Sequence, residues 1–461
     1  MPMPLKKYWE VGKLNQCATD FINRVLCQVK YKKAHSIIHE ELRSHIEELT
    51  ELHIAEGMAE DDAVRKAVLK MGDPIAIGKQ LHNTHKPKTE WSIAILLGLI
   101  VFFGLYIMFQ YSQVATQPFY FKRQILFVTV GIILAITLYF VDFVRYEKYS
   151  LPVYYGVCVL LLAIIILGPN TYGRAAIIVG NFSVTPSFVA IPILLISYSG
   201  LIRRWCDGTP RNLLKLVANS LIPLILICME PSFMFSCILG AGFAVMVTYG
   251  VVSQNFKENR KKTLFILYGG LFGFILITLL YTYINMPRRF ERLTIFAQPW
   301  RDPLGNGWMN VMTHEIQSSS PFIGMSKELM ISGTKQLILP CSETDCVFTF
   351  VVGRFGWLFG AVLLGLLGLI IVRLFMASNR VRNEYGRLLG VGICCVFSIQ
   401  VIIHILTNLN LFPMTGISLP FISYGGQSCV MNMALIGMLL GIYRRKDISF
   451  RQEEKSMQSL N

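Results

Sequence analysis

Two acids stand where a polar stretch meets an apolar one. Residues 286–348 lie between two apolar runs and end in LILPCSETDCVF, which places Glu343 and Asp345 at the return into the second run. Loops longer than about 12–15 residues are uncommon unless they carry function. Apolar surroundings at such a junction raise a carboxylate's pKa into the range of a general base, and Asp345 is the candidate for that role. Glu343, two residues earlier, would face the same way in an extended segment. Two hard oxygen donors so placed suit Mg²⁺ or Mn²⁺. The competing reading makes Thr344-Asp345 an N-cap before an apolar helix, stabilising by about 1 kcal/mol. Near the start of the same stretch, Arg288, Arg289, Arg292 and Arg301 suit diphosphate or lipid headgroups, or else snorkel at an interface. Asp302, with Pro303, Gly305 and Gly307, reads as a turn. Cys341 and Cys346 bracket the acids, either as a disulfide or as free thiols.

These groups need a scaffold, and the composition says which kind. The chain has 461 residues, 53% hydrophobic and 15% charged, with a mean hydropathy of +0.51. That combination excludes an ordinary soluble globular protein and predicts a polytopic all-α membrane protein. From Trp91 onward ten runs are long enough to cross a bilayer, which takes about 20 residues each. Their cores fall at 92–111, 124–142, 151–168, 187–202, 213–229, 232–252, 264–285, 349–372, 388–408 and 421–443. The net charge of +15 comes from basic residues in the short loops, so it reads as orientation charge and not as a nucleic-acid surface. Arg145, Lys148, Arg203, Arg204, Arg211, Lys257, Arg260, Lys261, Lys262, Arg373, Arg380, Arg382 and Arg387 mark one side, with Arg444, Arg445 and Lys446 after the last run. The reading is a multi-pass membrane protein with both termini cytoplasmic and the 286–348 loop outside. Eleven cysteines are scattered without metal-ligand spacing.

Residues 1–88 carry no apolar h-region and read as a small cytoplasmic helical domain, followed by a membrane domain over 89–446 and a tail over 447–461. Apolar positions at helical spacing occupy IIHEELRSHIEELTELHIAEG and DDAVRKAVLKMG, with Gly57 closing the first and a third helix near 75–82 after the Gly72-Asp73-Pro74 turn. His35, His39 and His45 are a weak metal candidate beside the plainer reading of a solvated face.

Between the ninth and tenth runs lies LNLFPMTGISLPFISYGGQS, in which Pro413, Gly416 and Pro420 enforce an irregular re-entry. Irregular backbone at that depth requires protein or a watery cavity to satisfy it. Ser423, Gly425 and Gly426 are therefore candidates for a substrate-binding surface, or for close helix contact. Gln400, His404 and Asn408 share one helical face at i, i+4, i+8, which predicts hydrogen bonding between helices.

LPFISYGGQS resembles the signature of the SEDS family (FtsW, RodA and SpoVE), whose usual form ends YGGSS. FYFKRQ (119–124), RLTIFAQPWRDPLGNGW (292–308) and the Leu339-Pro340…Thr344-Asp345 element resemble other segments of that family, over about residues 91–446. Residues 1–88 resemble the prefix domain found ahead of some bacterial permeases. The resemblance implies a ten-helix glycosyltransferase that polymerises lipid II into peptidoglycan strands on the outer face of the bacterial cytoplasmic membrane, in cell division, cell shape or sporulation. It implies Asp345 as the essential acid and a class B penicillin-binding transpeptidase as partner. A diphosphate already leaves readily, so such a reaction needs one base at the acceptor hydroxyl and positive charge on the diphosphate. The chain departs from the family at several positions. Ala175-Ala176 stand for Arg-Trp, Thr185 for Gln, Phe188 for Glu, Ile191 for Lys, and Gly353-Arg354 for Glu-Glu; Glu230 to Met234 stand where the family has Gln-Pro-Asp-x-Gly. Those departures keep open a non-catalytic relative that binds lipid precursor or scaffolds a partner. Asn219, Gln400, His404 and Asn432 within the spans keep open a flippase.

Overall fold

The computed structural model describes residues 16–446 except 87, 116, 172–173, 180–181, 206–208, 231–232, 254–259, 286–289, 292–294 and 331–336, and except the side chains of a few others. The chain divides into two units, one over 1–88 with 445–461 and one over 89–444.

The smaller unit holds four helices: α1 (Gln16–Gln28), α2 (His35–Ala55), α3 (Glu60–Met71) and α4 (Pro74–His85). Phe21, Ile22 and Val25 of α1 and Ile38, Leu42 and Ile46 of α2 form its core with Val64 and Ala67. Gly57 takes a left-handed φ of 90° beyond the end of α2, as the sequence predicts. Asp73 caps α4 by accepting the Ile75 and Ala76 amides at 3.1 Å, with Pro74 at the first helical position. Helix α1 was not expected from the sequence. Among the described residues His35, His39 and His45 belong to no cluster of three metal-ligating side chains, and the His35 ring lies 2.7 Å from the Val29 carbonyl oxygen.

The larger unit is a helical membrane bundle. Ten helices among the described residues are long and apolar enough to span. The first seven spans are α5 (Trp91–Val114), α6 (Phe119–Phe140), α7 (Ser150–Leu167, preceded by a 3-10 turn from Phe143), α8 (Pro186–Trp205), α9 (Pro210–Met229), α10 (Phe233–Ser253) and α11 (Arg260–Asn285). Two small antiparallel hairpins precede α8: β1 (Asn170–Thr171) with β2 (Arg174–Ala175), and β3 (Ile177–Val179) with β4 (Phe182–Val184), where Ile178 is opposite Ser183. In the long loop lies α12 (Trp308–Ser318), followed by α13 (Val347–Phe355), and the last three spans are α14 (Trp357–Asn379), α15 (Glu384–Asn408) and α16 (Gly426–Arg444). Spans α15 and α16 are the most enclosed and α11 the least. The core therefore sits around the ninth and tenth crossings.

The eighth crossing corrects the sequence reading. It runs over Trp357–Asn379, not 349–372, because the chain breaks at Gly356. That residue has φ 93°, and a Cβ there would meet the Phe322 carbonyl oxygen at 2.6 Å. Loop residues satisfy the backbone that the break frees: Trp357 N–H reaches the Pro321 carbonyl and Leu358 N–H that of Phe322, while Phe355 C=O accepts from Gly324 and Gly353 C=O from Ser326. Arg354 consequently lies in the last turn of α13, ahead of the span, with a guanidinium nitrogen 3.3 Å from the Met325 sulfur.

Candidate active site

The turn 341–346 is pinned at three successive carbonyls. Glu343 C=O accepts the Tyr424 amide at 2.7 Å. Thr344 C=O accepts the Ser423 hydroxyl at 2.6 Å, and the same hydroxyl oxygen accepts the Leu419 amide at 2.8 Å. Asp345 C=O accepts Asn408 Nδ2 at 2.9 Å. The donors come from the re-entrant segment and from the end of α15, so two distant pieces of chain fix three residues in a row.

Asn408 is the hub. It is fully buried. Its Oδ1 accepts the Thr349 amide at 3.1 Å and the Thr349 hydroxyl at 2.9 Å, and its backbone oxygen accepts Gln317 Nε2 at 2.8 Å. His404 Nδ1 is 2.7 Å from the Ile417 carbonyl and so carries the hydrogen, which leaves Nε2 to accept from Asn408 at 3.2 Å. Gln400 and Asn432 exchange amide bonds at 3.3 and 3.1 Å. The helical-face reading of Gln400, His404 and Asn408 is thus met by hydrogen bonds between elements. Asn310 donates its side-chain amide to Asn410 Oδ1 at 2.8 Å and Asn410 donates back to the Asn310 backbone carbonyl at 2.9 Å, which fastens α12 to the chain just beyond α15.

Strained backbone gathers here. The non-glycine residues with positive φ among those described are Cys341 (56°), Asn410 (57°) and Phe421 (67°). One lies in the pinned turn, one at the end of α15 and one in the re-entrant segment. Such residues cost roughly 1–3 kcal/mol each and persist where the surroundings over-determine them, which is common at functional sites.

The carboxylates occupy this frame. Asp345 is half-buried, and its Oδ2 lies 3.9 Å from the point where a Cβ on Gly416 would stand. The N-cap of α13 is Cys346 and not Asp345, so the capping alternative fails at that position. Glu343 is half-buried and its Oε2 accepts the Tyr111 hydroxyl at 2.8 Å. Tyr111 packs edge-on against Tyr120, which does the same against Tyr424. Burial, then the Asp345 and Glu343 charges, push the Cys341 thiol above its ordinary range. Cys341 and Cys346 are free thiols, the first exposed and the second buried. Among the described residues no three His, Cys, Asp or Glu side chains form a metal cluster. The segment 341–346 is a turn and not extended, so the alternation expected to face Glu343 and Asp345 the same way does not apply. Two carboxylates would hold a hard cation only with substrate oxygens and water completing its shell.

Of the arginine candidates, Arg288, Arg289 and Arg292 lie outside the described residues. Arg301 is exposed on a 3-10 turn (Pro299–Arg301) and makes no described contact with the pinned turn. Asp302 forms the expected turn by accepting the Asn306 amide at 2.7 Å. Ser423 belongs to the pin. Gly426 lies so close to Phe127 that a Cβ would meet its ring at 2.4 Å, and Gly425 sits beside Ser418. Tyr111 and Tyr424 escaped the sequence reading: an aromatic near a span's end ordinarily reads as an interface anchor.

An apolar groove of about 610 Å³ opens beside this frame. Leu126 and Val130 of α6, Phe188 and Pro192 of α8, and Val430 and Ala434 of α16 form its walls, with Ser183, Tyr424, Gly426 and Gln427 at the end where α8 and α16 begin. From Gly426 to Ala434 the helix descends about 12 Å. Tyr424, at the mouth, is the residue whose amide holds Glu343.

Comparison with known proteins agrees with this architecture. The family model described as "Cell cycle protein", covering FtsW, RodA and SpoVE, matches residues 85–448. Stage V sporulation protein E of Bacillus subtilis (strain 168) is 26% identical over 374 residues, 78% of this chain and 99% of that protein. The probable peptidoglycan glycosyltransferase FtsW of Legionella pneumophila is 26% identical over 381 residues, 79% and 93% of the two chains. Among solved structures, a chain from work on "structural coordination of polymerization and crosslinking by a peptidoglycan synthase complex" aligns with TM-score 0.64 and 24% identity, over 78% of this chain and 98% of that one. The rod shape determining protein RodA of Thermus thermophilus aligns with TM-score 0.57 and 21% identity, over 78% and 97%. With a match over most of its length and the same helical bundle, this chain belongs to the FtsW/RodA/SpoVE family.

Proposed function

We propose that this protein is a peptidoglycan glycosyltransferase that polymerises lipid II at the outer face of the cytoplasmic membrane. The observation that carries the reading is the pinned turn: half-buried Asp345 lies in a turn fastened to Ser423 and Tyr424, and Tyr424 also lines an apolar groove. A lipid-linked sugar needs just such a pairing, with apolar space for the carrier below and a fixed carboxylate above. Asp345 removes the proton of the acceptor hydroxyl as it attacks the anomeric carbon, and the diphosphate departs with the carbon–oxygen bond electrons. General-base help of this kind contributes about 10²–10⁴-fold. Glu343, with one oxygen on Tyr111, and Asp345 would hold Mg²⁺ or Mn²⁺, whose chemistry is to neutralise diphosphate charge. Arg288, Arg289, Arg292 and Arg301 supply further positive charge on the same loop. The basic loops orient both termini to the cytoplasm, and a class B penicillin-binding transpeptidase is the partner. Residues 1–88 serve as a cytoplasmic prefix domain.

The flippase alternative rested on polar residues within the spans. Gln400, Asn432 and His404 are bonded to neighbouring elements, whereas Asn219 donates to the Lys215 carbonyl and keeps its Oδ1 buried without a partner. The test is polymerisation of lipid II by the purified protein, with and without divalent cation. Wild type should build glycan strands, and Asp345→Asn should lose at least about 100-fold while remaining folded. An Asp345→Asn protein as active as an active wild type would remove Asp345 as the base, and an inert wild type whose cellular phenotype is insensitive to that change would favour the non-catalytic scaffold.

A further inference from the structure

One side chain fastens the mouth of the groove. Gln427, in the first turn of α16, accepts the Thr185 amide on Oε1 at 2.8 Å and donates through Nε2 to the Ser183 carbonyl. Along an extended stretch the C=O of one residue and the N–H two residues on point the same way. A primary amide offers one acceptor and one donor at matching spacing, so the Gln427 head pairs with Ser183 and Thr185 as a neighbouring strand would. Ser183 lies in β4, Thr185 precedes α8, and Gln427 belongs to α16, so the two bonds join two walls of the groove. Phe127, from the third wall, packs its ring on the adjacent Gly426. Both bonded positions are also departures from the family resemblance, with Thr185 where Gln is usual and Gln427 where the signature has Ser. Here they face each other.

We propose that Gln427 is a specificity-determining clasp, holding the β3–β4 hairpin against α16 so that the groove grips the first isoprene units of a polyprenyl diphosphate. This rests on the glycosyltransferase reading above, in which the groove takes the lipid carrier. Ser and Ala cannot span both bonds. Glu keeps the acceptor for Thr185 but sets a carboxylate oxygen against the Ser183 carbonyl.

The test is equilibrium binding by the full-length protein in nanodiscs, with undecaprenyl diphosphate as one probe and inorganic diphosphate as the chain-free probe. Gln427→Ala should weaken undecaprenyl diphosphate about tenfold and leave inorganic diphosphate unchanged, with Gln427→Glu in between. Unaltered melting temperatures would separate both variants from misfolding. If Gln427→Ala binds the lipid as wild type does, or loses both probes equally, the clasp is refuted. A wild type that binds undecaprenyl diphosphate but makes no strands removes the transferase reading and leaves the clasp standing; a wild type that binds no undecaprenyl diphosphate removes both.

Discussion

Asn408 fixes the backbone of the proposed base, Asp345. Its amide serves the Asp345 carbonyl and the Thr349 amide and hydroxyl at once, with no solvent to replace any of them. Asn408→Ala should lower kcat of lipid II polymerisation at least tenfold with KM within about threefold, because the groove is untouched while the turn loosens. Each buried group left unpaired costs about 1–3 kcal/mol, so the melting temperature should fall as well. A proportional rise in KM would show that Asn408 shapes substrate binding and not the turn. Cys341 reports on the same turn by titration. Burial and the two carboxylates raise its pKa, so the thiolate that maleimide reagents require is scarce at neutral pH and grows as pH rises. Removing one negative charge with Asp345→Asn lowers that pKa, and labelling of Cys341 at pH 7 should accelerate. Unchanged labelling would mean that the Asp345 charge does not act on this thiol.

Among the elements, the break at Gly356 matters most. A single continuous helix from Val347 would carry the pinned turn away from the loop segment 321–326 that braces it. Gly356→Ala combines a φ of 93° with a Cβ 2.6 Å from a carbonyl oxygen. It should destabilise the protein by about 1–3 kcal/mol, read as a lower unfolding temperature in detergent. This element also marks the limit of what the sequence discloses. The apolar run from 349 to 372 has no proline, so periodicity reads through the glycine, and only the Cβ clash and the loop carbonyls reveal the stop. Asp345 was legible from its place at the loop's end, and the re-entry from Pro413, Gly416 and Pro420. Tyr111 and Gln427 were not, since their partners lie 232 and 242 or more positions away and no local pattern announces such pairs. The hairpins at 170–184 escaped because two- and three-residue strands carry too little alternation to read.

For the whole molecule, ten crossings and the pattern of basic loops were legible because bilayer thickness and charge asymmetry leave few alternatives. The orientation they predict can be checked with two exposed thiols, Cys27 and Cys341. A membrane-impermeant thiol reagent on intact protoplasts should modify Cys341 and reach Cys27 only after permeabilisation. The reverse pattern would place the pinned turn in the cytosol and end the glycosyltransferase reading.

The three fastened carbonyls have an implication for biosynthesis. Residues 343–345 leave the ribosome long before 408, 423 and 424, the side chains and amide that secure them. A nascent protein halted after its eighth crossing therefore holds its acid on an unsecured tether. Competence arrives only when the last segment is threaded, so incomplete translation products would be silent in the wall instead of misdirecting synthesis.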